Sequence, residues 1–262
     1  MKKVLILVTI ALLGIMAGGC CKHHAHKKRG TKARTPIEIN LSGVTRDTLA
    51  RNGDVLTDTL KSNVKISIAH GASVTLKDLY IVGVNWSITP WAAITCEGDA
   101  TLILQGNSYI EPFHLDYPGI FIPENKTLKI KGDGFLEVYG RCSAGIGAGL
   151  EASCGNIVIE GGSINAYGYK DMFGGGAGIG GASKANCGSI TIKGGTINAF
   201  GSYTSAGIGG GRFGNCGPIT ITSGVKSVVA QKGDNAPNSI GAGLDGTCDG
   251  VTIEDPSKVT QQ

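Results

Sequence analysis

Four cysteines follow four isoleucines at one fixed distance. Ile146, Ile179, Ile208 and Ile240 are each succeeded, eight residues later, by Cys154, Cys187, Cys216 and Cys248. Thiols spaced so regularly can bridge, hold a soft metal or pack as small apolar groups. A second set of reactive types lies in "FHLDYPG" (113–119), where His114, Asp116 and Tyr117 stand close together. An imidazole beside a carboxylate is raw material for acid–base chemistry. A third set recurs: "EVYG", "NAYG" and "NAFG" put Tyr139, Tyr167 and Phe200 in equivalent places, with Glu137, Asn165 and Asn198 two residues before each. Aromatics beside amides suit sugars, because apolar faces stack on sugar rings and amides bond hydroxyls.

The elements that carry these residues decide which chemistry is open to them. The isoleucines belong to "SAGIGAG" (143–149), "GAGIGGA" (176–182), "SAGIGGG" (205–211) and "SIGAG" (239–243), so the period is 33, 29 and 32 residues. A self-similar period of this size is the signature of a repeat architecture. Within each unit, two short runs alternate in polarity. "NIVIEGGSINAYG" (156–168) matches "SITIKGGTINAFG" (189–201), and in the first of these Ile157, Ile159, Ile164 and Ala166 share one side. A period of two means strands. One such unit cannot bury its apolar side, but stacked units share a core. The expected fold is all-β: a single-stranded right-handed parallel β-helix of about seven coils, from "VTLKDLYI" (74–81) to "GVTIED" (250–255), with three short strands per coil.

This architecture narrows the chemistry. The Gly-rich runs supply corners with positive φ and close backbone approach. A phosphate-binding loop would end in Gly-Lys-Ser/Thr, which never follows them, so no nucleotide is expected. Neighbouring coils lie about 4.8 Å apart. In-register cysteines then keep their Cβ atoms near that spacing, wider than the roughly 3.8 Å of a disulfide. An unbridged inward thiol ladder is therefore favoured, and a line of thiols does not make the tetrahedron zinc requires. Cys96 and Cys142 fall outside the row. Gln105, Lys131, Glu160, Lys193, Thr222 and Glu254 form a second row, whose alternating charges predict a stabilising ladder. The acids Asp99, Asp133, Asp171, Asp245 and Asp249 are scattered, and no two outward carboxylates recur on neighbouring coils without a base between them. "FHLDYPG" is read as a structural plug. No catalytic residue, metal ligand or cofactor is expected.

The run AGIG, then CG-x-I-x-I, then GG-x-I-x-A resembles the Gly-rich repeat surface proteins of bacteria, a group described as carbohydrate-binding and related in shape to pectate lyases. "NGDVLTDTL" (52–60), "VKISIAHGASVTL" (64–76) and "YPGIFIPENKTLKIKG" (117–132) resemble that family's opening coils, so the likeness spans roughly residues 37–255. It implies the β-helix and glycan binding without naming a sugar or a catalytic residue.

The N-terminus is a separate matter. Lys2 and Lys3 precede an apolar run from Val4 to Met16, then small residues and Cys20. A charged start, a short apolar stretch and small residues describe an export signal. Ala17, Gly18, Gly19 and Cys20 resemble the lipobox of bacterial lipoproteins. Expected boundaries are 1–19 for a lipoprotein signal peptide, 20–36 for a basic disordered tether lipidated at Cys20, and 37–262 for the β-helix. Of 24 bases, two lie in the leader and six in 22–36, leaving 16 against 20 acids. The basic run is thus a tether beside anionic head groups, not a nucleic-acid footprint. His23, His24 and His26 belong to this solvated linker.

Together these readings give a membrane-anchored lipoprotein of the bacterial envelope, at the outer membrane or cell surface. It would bind polysaccharide or another surface glycan without catalysis, through Tyr139, Tyr167, Phe200, Asn165 and Asn198. A polysaccharide lyase or glycoside hydrolase of the β-helix type is the first alternative. A structural or adhesive protein that binds another protein is the second.

Overall fold

The computed structural model describes residues 34–83, 91–112, 114–168 and 175–262. The leader, Cys20 and the three linker histidines lie outside them, as does Asp171.

After the opening strand Glu38–Asn40, the chain winds as a right-handed parallel β-helix with three faces, all strand on strand and all parallel among the described strands. The first face stacks Ala100–Gln105, Thr127–Gly132, Asn156–Ile159, Ile190–Ile192, Ile219–Ile221 and Val251–Ile253. The second face stacks Asn107–Ile110, Phe135–Tyr139, Ser163–Tyr167, Thr196–Phe200, Ser227–Gln231 and Val259–Gln261. Both ladders meet in the ten-residue strand Ala72–Ile81, which bends at Asp78, a residue with φ of 48°. The third face is an eight-stranded sheet running from Thr48–Ala50 to Ile240–Gly241.

The coil count differs slightly from the seven expected. Val55–Thr59 pairs with Ala72–Ile81 and adds a rung below it. That rung has neither the AGIG run nor its cysteine, so the repeat pattern starts late. Its turn is fixed by buried Asp54, whose carboxylate accepts from the Ile37 amide at 3.0 Å and the Arg51 amide at 2.9 Å.

The core is a set of columns. Ile146, Ile179, Ile208 and Ile240 stack in register on the third face, and Ile157, Ile190 and Ile219 on the first. On the second face Ile164, Ile197 and Val228 stack beside Ala166, Ala199 and Ala230. All of these are buried. Burying each large aliphatic side chain contributes about 1.5–3 kcal/mol, and the Ile-x-Ile spacing turns both members of each first-face strand inward.

On the third face the residue after each isoleucine is glycine for a physical reason. Gly147, Gly180, Gly209 and Gly241 have φ of 135°, 130°, 131° and 130°. A Cβ on Gly147, Gly180 or Gly209 would strike the carbonyl oxygen of the glycine one coil further on. The cysteines sit against the same backbone. The thiol of Cys154 donates to the Gly180 carbonyl at 3.6 Å, Cys187 to Gly209 at 3.8 Å and Cys216 to Gly241 at 3.6 Å.

Candidate functional site

The second face carries the predicted aromatic row, and the row is longer than expected. Tyr139 and Tyr167 stack with centroids 4.7 Å apart, and Tyr167 and Phe200 with centroids 4.6 Å apart, nearly parallel in both cases. The stack continues below through Tyr109, 5.4 Å from Tyr139, to Tyr80, 5.2 Å from Tyr109. Parallel strands place these side chains on one outward column, and the coil spacing of about 4.8 Å falls within the roughly 4.5–7 Å centroid separation of offset-stacked rings. Tyr80, the lowest, is 46% exposed, while the other four are half-buried.

Tyr80 and Tyr109 are additions that the sequence reading missed. Tyr109 stands in register with Glu137, two places before Tyr139, and its ring is tilted 41° to reach the next one. A signal was present in "DLYI" (78–81) and "NSYI" (107–110), which repeat a Tyr-Ile pair at the coil period.

Polar groups border the stack. Asn198 donates through its amide to the Asn165 side-chain oxygen at 2.8 Å, so the two amides form a rung-to-rung chain. The Tyr139 hydroxyl donates to Glu137 at 2.7 Å and the Tyr109 hydroxyl to Glu111 at 3.2 Å. Arg141 pairs with Glu111. Desolvation first, and then the Glu111 carboxylate, push the Tyr109 phenol up to about 12. Desolvation and the Glu137 hydrogen bond raise Tyr139 further, and desolvation raises Tyr167. The face therefore presents neutral phenols at any physiological pH. Because the rings cover one another's faces, they offer ligands their edges and hydroxyls.

Glu160 does form an ion pair, but with Lys129, at 3.3 Å. Gln105 lies opposite Lys77, because Ile103 and not Gln105 pairs with Lys131, so it falls outside the charge row. Glu111 and Glu137 are two outward carboxylates on neighbouring coils, a pairing hidden by the two-residue offset at Tyr109. In "FHLDYPG", His114 Nδ1 accepts from the Asp116 amide at 3.2 Å and its ring meets Tyr117 edge-on at 5.5 Å. The loop is pinned from outside by the Leu150 amide, which donates to the Asp116 carbonyl at 2.8 Å. The six described cysteines are free thiols. Burial pushes Cys96 up to about 12, while the Cys154 thiol and burial hold Cys187 well above its ordinary value. Among the described residues no group of three or more His, Cys, Asp or Glu side chains is arranged to hold a metal ion.

Coil geometry and repeat pattern define a repeat protein of the right-handed parallel β-helix class. The family model for the beta helix repeat matches residues 157–183 and 190–212, two consecutive coils that each carry an AGIG run. Neither a curated protein nor a solved structure matches the chain.

Proposed function

We propose that this chain is a lipid-anchored extracytoplasmic β-helix protein that binds glycan without acting on it. The membrane contact is a lipid on Cys20, and the partner is a polysaccharide or surface glycan of the bacterial envelope. One observation carries the reading: four tyrosines and a phenylalanine in one outward column, flanked by the Asn165–Asn198 amide chain. Solubility alone would favour polar residues at outward positions. A glycan lying along the helix axis meets a ring edge or hydroxyl at every coil, at a spacing close to that of one sugar ring. Four contacts of about 1 kcal/mol each give millimolar affinity, which suits a surface protein present in many copies.

The test is retention on insoluble polysaccharides. Tyr167→Ala with Phe200→Ala, verified as β-rich by circular dichroism, is expected to lose most retention, and Asn165→Ala with Asn198→Ala part of it. Unchanged retention in both variants removes the strip from the reading.

A second reading, a glycoside hydrolase, rests on Glu111 and Glu137. They are diagonal neighbours on adjacent parallel coils, and inverting glycosidases place two carboxyl groups across the scissile bond roughly 6.5–9.5 Å apart. Against it, each carboxylate already accepts a tyrosine hydroxyl. Release of reducing ends that Glu111→Gln abolishes would establish it.

A further inference from the structure

The thiol ladder ends in a pair unlike the rest. Cys216 and Cys248 face each other in register in the two-stranded sheet of Asn215–Cys216 and Thr247–Cys248. Cys154, Cys187 and Cys216 each turn toward a glycine carbonyl on the following coil. Cys248 turns the other way. Its thiol donates back to the Gly217 carbonyl at 3.6 Å, beside Cys216, and to Gly250 at 3.8 Å. Each thiol of the pair thus leans toward the other's coil. Their contact shows in the Cys216 proton, which burial first, and then the Cys248 thiol, hold well above its ordinary value.

Accessibility separates this pair from the lower thiols. Cys154 and Cys187 are buried, and packing as small apolar groups accounts for them. Cys248 is partly exposed, and Thr247, Asp249 and Gly250 around it are exposed. A solute reaches its sulfur without opening the coil, and Cys216 stands one coil behind.

Spacing selects what two such sulfurs can hold. Coils about 4.8 Å apart keep them well beyond the roughly 2.05 Å of an S–S bond. Two metal–thiolate bonds of about 2.3 Å, laid end to end, span about 4.6 Å. That is close to the coil spacing, so a metal between the sulfurs meets both without backbone movement. The pair offers a linear, two-coordinate site and nothing larger. Zinc takes four ligands in a tetrahedron, and calcium and magnesium take six or more oxygens. Soft thiolates select copper(I), a closed-shell ion that accepts two ligands in a line.

We propose that Cys216 and Cys248 form a two-coordinate site for a soft monovalent cation, copper(I), at the outer end of the thiol ladder. Binding breaks two S–H bonds, forms two S–Cu bonds and releases two protons to water; no electron is transferred. The product carries one negative charge. It sits at the partly exposed Cys248 edge and not in the core, where an unpaired charge is costly. The site goes beyond the glycan reading and does not depend on it.

The experiment titrates the full chain, reduced and in detergent, with copper(I) under argon and ascorbate, against a chromogenic copper(I) chelator. The parent is compared with Cys248→Ser, Cys216→Ala and, as control, Cys96→Ala, all verified as β-rich by circular dichroism. Cys20, Cys21 and the tether histidines are common to all four proteins, so their copper cancels in the comparison. The parent and Cys96→Ala are expected to hold one copper per chain more than Cys248→Ser or Cys216→Ala. In the parent, that copper should slow alkylation of Cys248 by iodoacetamide at least about tenfold, because the thiolate is the nucleophile and the metal occupies it. Equal copper uptake in all four proteins overturns the proposal, and so does unslowed alkylation. Loss in only one of the two pair variants also overturns it, because a single thiol would then suffice. A difference of the same size with zinc(II) refutes the two-coordinate geometry and with it the site.

Discussion

Gly180 and Cys187 show how much a single position depends on the next coil. The Gly180 backbone runs at φ of 130°, a Cβ there would collide with the Gly209 carbonyl, and that same carbonyl accepts the Cys187 thiol. Gly180→Ala combines backbone strain with overpacking and is expected to cost about 2–5 kcal/mol. Gly43 has ordinary φ and open space around it, so Gly43→Ala should stay within about 0.5 kcal/mol of the parent. Guanidinium unfolding midpoints of the two variants check the contrast, and equal midpoints would refute the clash. The eight-residue step from isoleucine to cysteine was legible because both belong to one repeat. Its cause was not, because the carbonyl each thiol meets lies on the following coil, 26, 22 and 25 residues away.

At the scale of elements, the second-face stack is a shared electrostatic unit. The Tyr109 phenol titrates near 12 in the fold, and Tyr139 is raised for the same reasons, burial and neighbouring carboxylates. A folded-state value above the unfolded value near 10 means the native state holds its proton more tightly. The associated stability is complete below pH 10 and is lost as pH rises through about 12. The raised thiols act in the same direction from about pH 9. Urea midpoints should therefore decline from pH 9 upward. Tyr109→Phe with Tyr139→Phe should flatten the part above pH 10 and leave the thiol part. An unaltered slope would show that the phenols are not coupled to folding. Tyr139, Tyr167 and Phe200 were readable as a row because their strands repeat without insertion. Tyr109 was not, because its strand joins the ladder two residues out of step. Tyr80 was hidden by the bend at Asp78, where the chain turns the corner without the paired glycines of later coils.

For the whole molecule, period and polarity were enough to give the architecture, since every coil obeys the same inside-outside rule. Trp91 and Tyr117 were not legible as a pair, although each stands three residues before one of two isoleucines that pair in register, Ile94 and Ile120, because their coils lack the AGIG run. The anchor is argued from sequence alone, and it has its own test. Mass spectrometry of the native N-terminus is expected to find a lipid-modified Cys20, and a mature chain beginning at any unmodified residue would refute it. The solenoid is joined only from neighbour to neighbour, and the five-ring stack spans the coils from Tyr80 to Phe200. Rings held 4.6 to 5.4 Å apart interact as chromophores, so near-ultraviolet circular dichroism reads their mutual order. The protein thus carries an intrinsic optical gauge along one edge, and loosening between any two of those coils shows as a loss of that band before the backbone signal fades.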